Sequence, residues 1–154
     1  MVTCFDEPQK VIAKAYDSMA SGGYIEFLDV NPKFIRVNGN IEGTVFDEWA
    51  KAIYAAAAKL NRDLMKPLKY KGWLKEAGFV DVVQQYKPVP VGEWPKDPTQ
   101  KEIGRLTSIN MLRVVDIFNN LLLAAGMAKE EADDLTARTQ AAMRDTEIIG
   151  YHEM

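Results

Sequence analysis

The sequence predicts an α+β chain, mostly helical, with a small two- to three-stranded sheet covered by long helices. Three observations predict it. Residues 44–60 and 98–125 carry apolar side chains at helical spacing. Residues 24–30 and 79–87 are short β-branched and aromatic runs bounded by Gly and Pro. Gly-Gly, Asn-Gly and Asp-Pro pairs separate these stretches.

Pro8 suits the first turn of a helix over 8–20, with Val11, Ile12, Ala15 and Met19 on one face. Gly22 and Gly23 supply its stop. A strand is predicted over 24–30, where Tyr24, Ile25, Phe27 and Val30 fit a pleated, buried surface. Residues 31–43 hold Asn31-Pro32 and Asn38-Gly39-Asn40, which reads as a small hairpin between FIRV and IEG. Thr44 with Asp47 resembles a capping box opening a helix. Phe46, Trp49, Ala50, Ile53, Tyr54, Ala57 and Leu60 form its apolar stripe, expected to face the core, with Trp49 and Tyr54 as candidate pocket lining.

Residues 69–77 form a short helix closed by Gly78, and 79–87 a second strand whose ladder Pro88 and Pro90 should end. Asp97-Pro98 with Gln100 marks the start of a long helix to about 125, and a last helix covers about 128–144. The tail TEIIGYHEM is open between a short strand and a frayed end. In the long helix Met111, Val114, Val115, Phe118, Leu121 and Leu122 make one apolar face. Asn110, Arg113, Asp116, Asn119 and Asn120 lie opposite, yet Ile109, Leu112, Ile117 and Leu123 are mixed among them. Such mixing predicts a second contact surface, a partner chain or a pocket wall. Arg113 and Asp116, three apart, are also placed to pair with each other.

Composition narrows function. Net charge is −3 with Lys and Arg scattered, which argues against nucleic acid. No stretch approaches the roughly 18 apolar residues of a membrane span. No secretory signal is visible, so a cytoplasmic location is expected. Cys4 and His152 are the sole cysteine and histidine, so neither a disulfide framework nor a zinc site is expected.

Four ordered segments carry a family resemblance: Met19-Ala20-Ser21-Gly22-Gly23 followed by YIEF; Trp73 to Val82, WLKEAGFVDV; Trp94-Pro95-Lys96-Asp97; and Lys101-Glu102-Ile103-Gly104. In that order they resemble the C-terminal half of fungal class I S-adenosylmethionine-dependent methyltransferases, the group that includes the velvet-complex regulatory methyltransferase. The resemblance covers nearly the whole chain, which is expected to form one domain over 1–154. It implies a truncated Rossmann-like fold retaining the substrate-capping half. The family's Gly-rich turn after the first strand and its ribose-holding acidic residue have no counterpart here, so no cofactor is expected to bind this chain alone.

The resemblance also implies that strand 24–30 lacks a neighbour, which predicts a homodimer. Three functional readings follow. In the first, the chain is a repurposed cyclase or isomerase acting on a small hydrophobic, polyketide- or terpenoid-like substrate. Trp49, Tyr54, Trp73 and Phe118 would shape the pocket, with Arg113, Asp116, Asn119 and Asn120 adding polar contacts. Glu26, Asp29 and His152 would be the acid–base candidates, Glu26 and Asp29 because they end the strand near which the family's substrate sits. In the second, the chain is a non-catalytic partner of a full-length methyltransferase. In the third, it is one half of a split methyltransferase.

Overall fold

The computed structural model describes residues 5–31, 33–37, 39–145 and 149–154. Cys4, Pro32 and Asn38 lie outside these, as do the first three residues of the tail segment. Helix α1 (Pro8–Ser18) begins with Pro8 at its first turn and buries Ile12 completely. Gly22, at φ +84°, turns the chain after it.

Helix α2 (Val45–Lys59) starts at Thr44, with a variation on the expected capping box. The Thr44 hydroxyl donates to the Ile41 carbonyl at 2.5 Å. Asp47 reaches back one residue further than expected and accepts the Gly43 N–H at 3.0 Å. The helix closes through Asn61 in the left-handed region at φ 57°. Arg62 N–H bonds the Ala57 carbonyl at 2.7 Å and Asn61 N–H the Ala58 carbonyl at 3.0 Å, a Schellman motif. Gly78 closes α3 (Tyr70–Glu76) the same way, and Gly126 closes α4 (Pro98–Ala124). Asp97 caps α4 as expected, accepting the Gln100 N–H at 2.9 Å.

The core sits where α2, α4 and α5 (Lys129–Met143) meet. Ile53, Ala56 and Ala57 come from α2, Leu122 from α4, Ala125 from just beyond it, and Ala132 and Leu135 from α5. The alanines let the helix backbones approach, and Leu122 fills the centre with no exposed surface. On α4, Ile109 and Ile117, two of the apolar residues mixed among the polar ones, are exposed.

The mostly helical α+β class holds, but its sheet is built from other residues than expected. Strands β1 (Phe34–Arg36), β2 (Pro88–Val91) and β3 (Gly150–Glu153) form an antiparallel sheet in the order β1-β3-β2. His152 stands opposite Phe34 on one side and Val89 on the other. Residues 150–153 of the tail are thus the central strand, not a frayed end. FIR pairs with β3 and makes no hairpin with IEG. Pro88 and Pro90 lie inside a strand instead of ending one, because β2 is at the sheet edge, where a missing N–H costs no ladder bond.

Residues 24–30 and 79–87 are not strands. The first run alternates exposed Tyr24, Glu26, Leu28 and Val30 with more buried Ile25, Phe27 and Asp29, the period of a strand. It has no ladder partner among the described residues, and pairing is what a strand requires. In the second run Asp81 takes φ 52°, which breaks the extended path.

Candidate functional site

An apolar cleft of about 950 Å³ opens between the sheet, α2 and the first half of α4. Helix α2 contributes Phe46, Trp49, Ala50 and Tyr54; β1 contributes Phe34 and Ile35; α4 contributes Ser108, Ile109 and Met111; Trp94 and Met143 complete the apolar wall. Trp49 also packs edge-on against Phe118, with ring centres 5.7 Å apart. Its indole N–H is buried with no acceptor among the described residues. Phe34 and Phe46 meet at 5.6 Å. Burial pushes the Tyr54 phenol above its usual range.

Two close approaches set the far wall. Gly104 on α4 lies so near Gly92 that a Cβ there would stand 2.0 Å from the Gly92 carbonyl oxygen. Gly92 N–H bonds the Gly104 carbonyl at 3.1 Å. Trp94, two residues beyond Gly92, donates its indole N–H to the Gly150 carbonyl at 3.1 Å, tying the loop after β2 to β3. Gly150 is glycine because the Phe34 ring occupies the space of its Cβ.

His152 lines the cleft from the central strand and is only 9 % exposed. Its Nδ1 stands 3.3 Å from the Lys33 carbonyl, and its ring packs on Phe34 at 5.4 Å. Burial holds its pKa below the usual imidazole range, so it is mainly neutral at pH 7. A neutral imidazole in an apolar wall is suited to proton exchange with a bound molecule.

The residues expected from sequence separate into groups. Trp49, Tyr54 and His152 meet in the cleft, and Phe118 supports Trp49. Glu26 and Asp29 do not line it. Glu26 is exposed, and Asp29 accepts the Tyr70 hydroxyl at 2.9 Å. Trp73 packs on Tyr70 at 6.0 Å, also outside the cleft. Arg113 and Asn120 are exposed on α4. Asp116 accepts from Gln140 at 2.6 Å, so the expected partner Arg113 is replaced by a residue of α5. Asn119 donates to Asp133 at 2.9 Å. These polar groups of α4 hold α5 in place instead of lining the cleft. Sequence reasoning missed Phe34, Trp94 and Met143. Ile109 was visible as an apolar residue out of place on the polar side of α4, but its cleft was not.

No group of three or more His, Cys, Asp or Glu side chains among the described residues is placed to hold a metal ion. No described helix is long and apolar enough to cross a membrane.

No family model matches the chain, and no solved structure matches it. Several curated proteins do. It is 26 % identical over 149 residues to the probable methyltransferase tdiE of Emericella nidulans, covering 95 % of this chain and 47 % of that protein. It is 28 % identical over 140 residues to the methyltransferase pytC of Aspergillus terreus, covering 88 % and 43 %. The secondary metabolism regulator laeA of Fusarium oxysporum f. sp. lycopersici matches at 27 % over 112 residues, 71 % of this chain and 34 % of the regulator. The chain spans at most about half the length of these relatives. It is a homologue of fungal methyltransferases, matching them over less than half of their length.

Proposed function

We propose that the cleft binds an apolar small molecule, and that the chain is the substrate-holding part of a methyltransferase-like fold turned to ring closure or isomerisation. The observation that carries this is the cleft itself. Its volume of about 950 Å³ is at the upper end of the roughly 300–1,000 Å³ common for small-molecule sites, and its walls are largely aromatic and aliphatic. Such a wall holds a reactive conformer and excludes water, which is most of what a ring closure needs. His152 is the acid–base residue in this reading, taking a proton from one atom of the bound molecule and returning it to another. Glu26 and Asp29 have no part in it, since neither lines the cleft. Tryptophan fluorescence tests the reading, because Trp49 and Trp94 both line the cleft. A neutral polycyclic probe should quench it saturably, and Ile109→Asp should abolish that quenching. A non-saturating response, or one indifferent to Ile109→Asp, would contradict it.

A second reading is favoured by one observation. Tyr24 is 95 % exposed and Leu28 70 %, on an extended run without a ladder partner among the described residues, and Val80 (83 %) and Val83 (76 %) are exposed on the run that leads to the Lys87–Met154 backbone pair. Exposed apolar backbone of this kind pairs with other chains. A second copy docking there would make the protein a homodimer, and sedimentation that yields a monomer at every concentration would refute it. A partner chain supplying the donor-binding part would restore methyl transfer, and donor binding would then appear only on mixing.

A further inference from the structure

Four cations line the cleft: Lys33, Lys51, Arg105 and Arg144. Two are committed to acids. Lys51 bonds Asp47 at 2.7 Å. Arg105 grips Glu102 with two bonds of 2.8 and 2.6 Å, and Glu93 adds a further attraction. Lys33 and Arg144 have no acidic partner among the described residues. Against the four cations the lining sets three acids, Asp47, Glu93 and Asp145, and the neutral His152. Glu102, which grips Arg105 from outside the lining, brings the acids to four, so the charges balance, and of the four cations Lys33 and Arg144 are the two that no described acid pairs with.

The root of Lys33 is fixed on both sides. Its N–H donates to the Asn31 side-chain oxygen at 3.2 Å, and its carbonyl faces His152 Nδ1 at 3.3 Å. Asn31 is itself buried and held by Glu153, through N–H to carbonyl at 2.7 Å and amide to carboxylate at 3.0 Å. A long cationic side chain thus springs from a backbone held by these two contacts at the edge of an apolar cavity. Arg144 stands at the end of α5, its N–H bonding the Ala141 carbonyl at 3.2 Å.

Resting on the reading of the cleft as a small-molecule site, we infer that its ligand is an apolar acid. The hydrophobic body lies against Trp49, Trp94 and Ile109, and a carboxylate or similar oxyanion is read by Lys33 and Arg144. An apolar cavity rejects a charged headgroup unless a cation receives it. Two lining cations without an acidic partner among the described residues meet that need, and both can bond a carboxylate.

The test uses two probes with one body, 1-pyrenebutyrate and 1-pyrenebutanol, followed by quenching of tryptophan fluorescence. Both should bind saturably, the acid about tenfold tighter at low salt, the order that two partly exposed charge contacts supply. Lys33→Gln with Arg144→Gln should bring the ratio to about one, and circular dichroism should show the fold intact. Lys14→Gln, on the exposed side of α1, should leave the tenfold ratio in place. Equal affinities for acid and alcohol in the unaltered protein would overturn the inference while leaving the cleft reading standing. So would a ratio that survives the double substitution. Binding of neither probe would overturn both.

Discussion

Replacing Gly104 by alanine separates the packing of this fold from helix propensity, because the two predict opposite signs. Propensity alone says that alanine inside α4 should stabilise by about 1 kcal/mol. The structure says otherwise. The new Cβ would stand 2.0 Å from the Gly92 carbonyl oxygen and 3.0 Å from its carbon, where ordinary contact begins at 3.4 Å. The obstacle is backbone on both sides, so α4 and the end of β2 must part by about 1.4 Å. That motion breaks the 3.1 Å bond from Gly92 N–H to the Gly104 carbonyl. Overpacking costs about 1–3 kcal/mol and the lost bond about 1, against about 1 regained in propensity. The net loss is about 1–3 kcal/mol, or a melting temperature lower by about 3–10 °C in a chain of this size. The matched control is Gly72→Ala in α3, where nothing lies within 4 Å, and a gain of about 0.5–1 kcal/mol is expected. Urea denaturation and scanning calorimetry read both variants. A Gly104→Ala protein as stable as the parent would show that α4 and β2 do not meet as described.

Three further outcomes are expected. Leu122→Ala should cost about 3–5 kcal/mol by urea denaturation, since the side chain is wholly buried where three helices meet; a loss below about 1 would mean the core lies elsewhere. Asn61→Ala should cost about 1 kcal/mol while Asn61→Gly should be neutral or slightly stabilising, because φ 57° suits Asn and Gly only; equal stability of the two would exclude the left-handed cap. Burial lowers the His152 pKa from its model-compound value of 6.5, so the unfolded chain binds the proton more readily. Its contribution is therefore complete above about pH 6.5 and lost as pH falls below it. The urea midpoint should drop between pH 7 and 5.5, and His152→Gln should flatten that drop; an unchanged slope would place the histidine in water.

The helices were legible because their signals are local. Asp97, Pro98 and Gln100 sit next to one another in sequence and define the start of α4 without reference to the rest of the fold. The sheet was not, because a strand is defined by its partner. YIEFLDV has strand composition and strand periodicity but no ladder, while PVPV, which reads as a breaker, pairs along the edge of β3. The site followed the same division. Trp49 and Tyr54 were visible from the stripe on α2. Phe34 and Trp94 reach the cleft only through contacts with β3, more than fifty residues away in each case. Glu26 and Asp29 were assigned by their position on an expected strand, and they lost the role when that strand did not form.

The central claim is that the cleft between α2, α4 and the sheet takes an apolar small molecule. Methionine methyl NMR tests it most directly, since Met111 and Met143 line the cleft while Met19 and Met127 do not. On titration with 1-pyrenebutanol the account predicts saturable shifts at Met111 and Met143 with Met19 and Met127 still. Shifts at Met19 alone, or none at any methyl group, would contradict it.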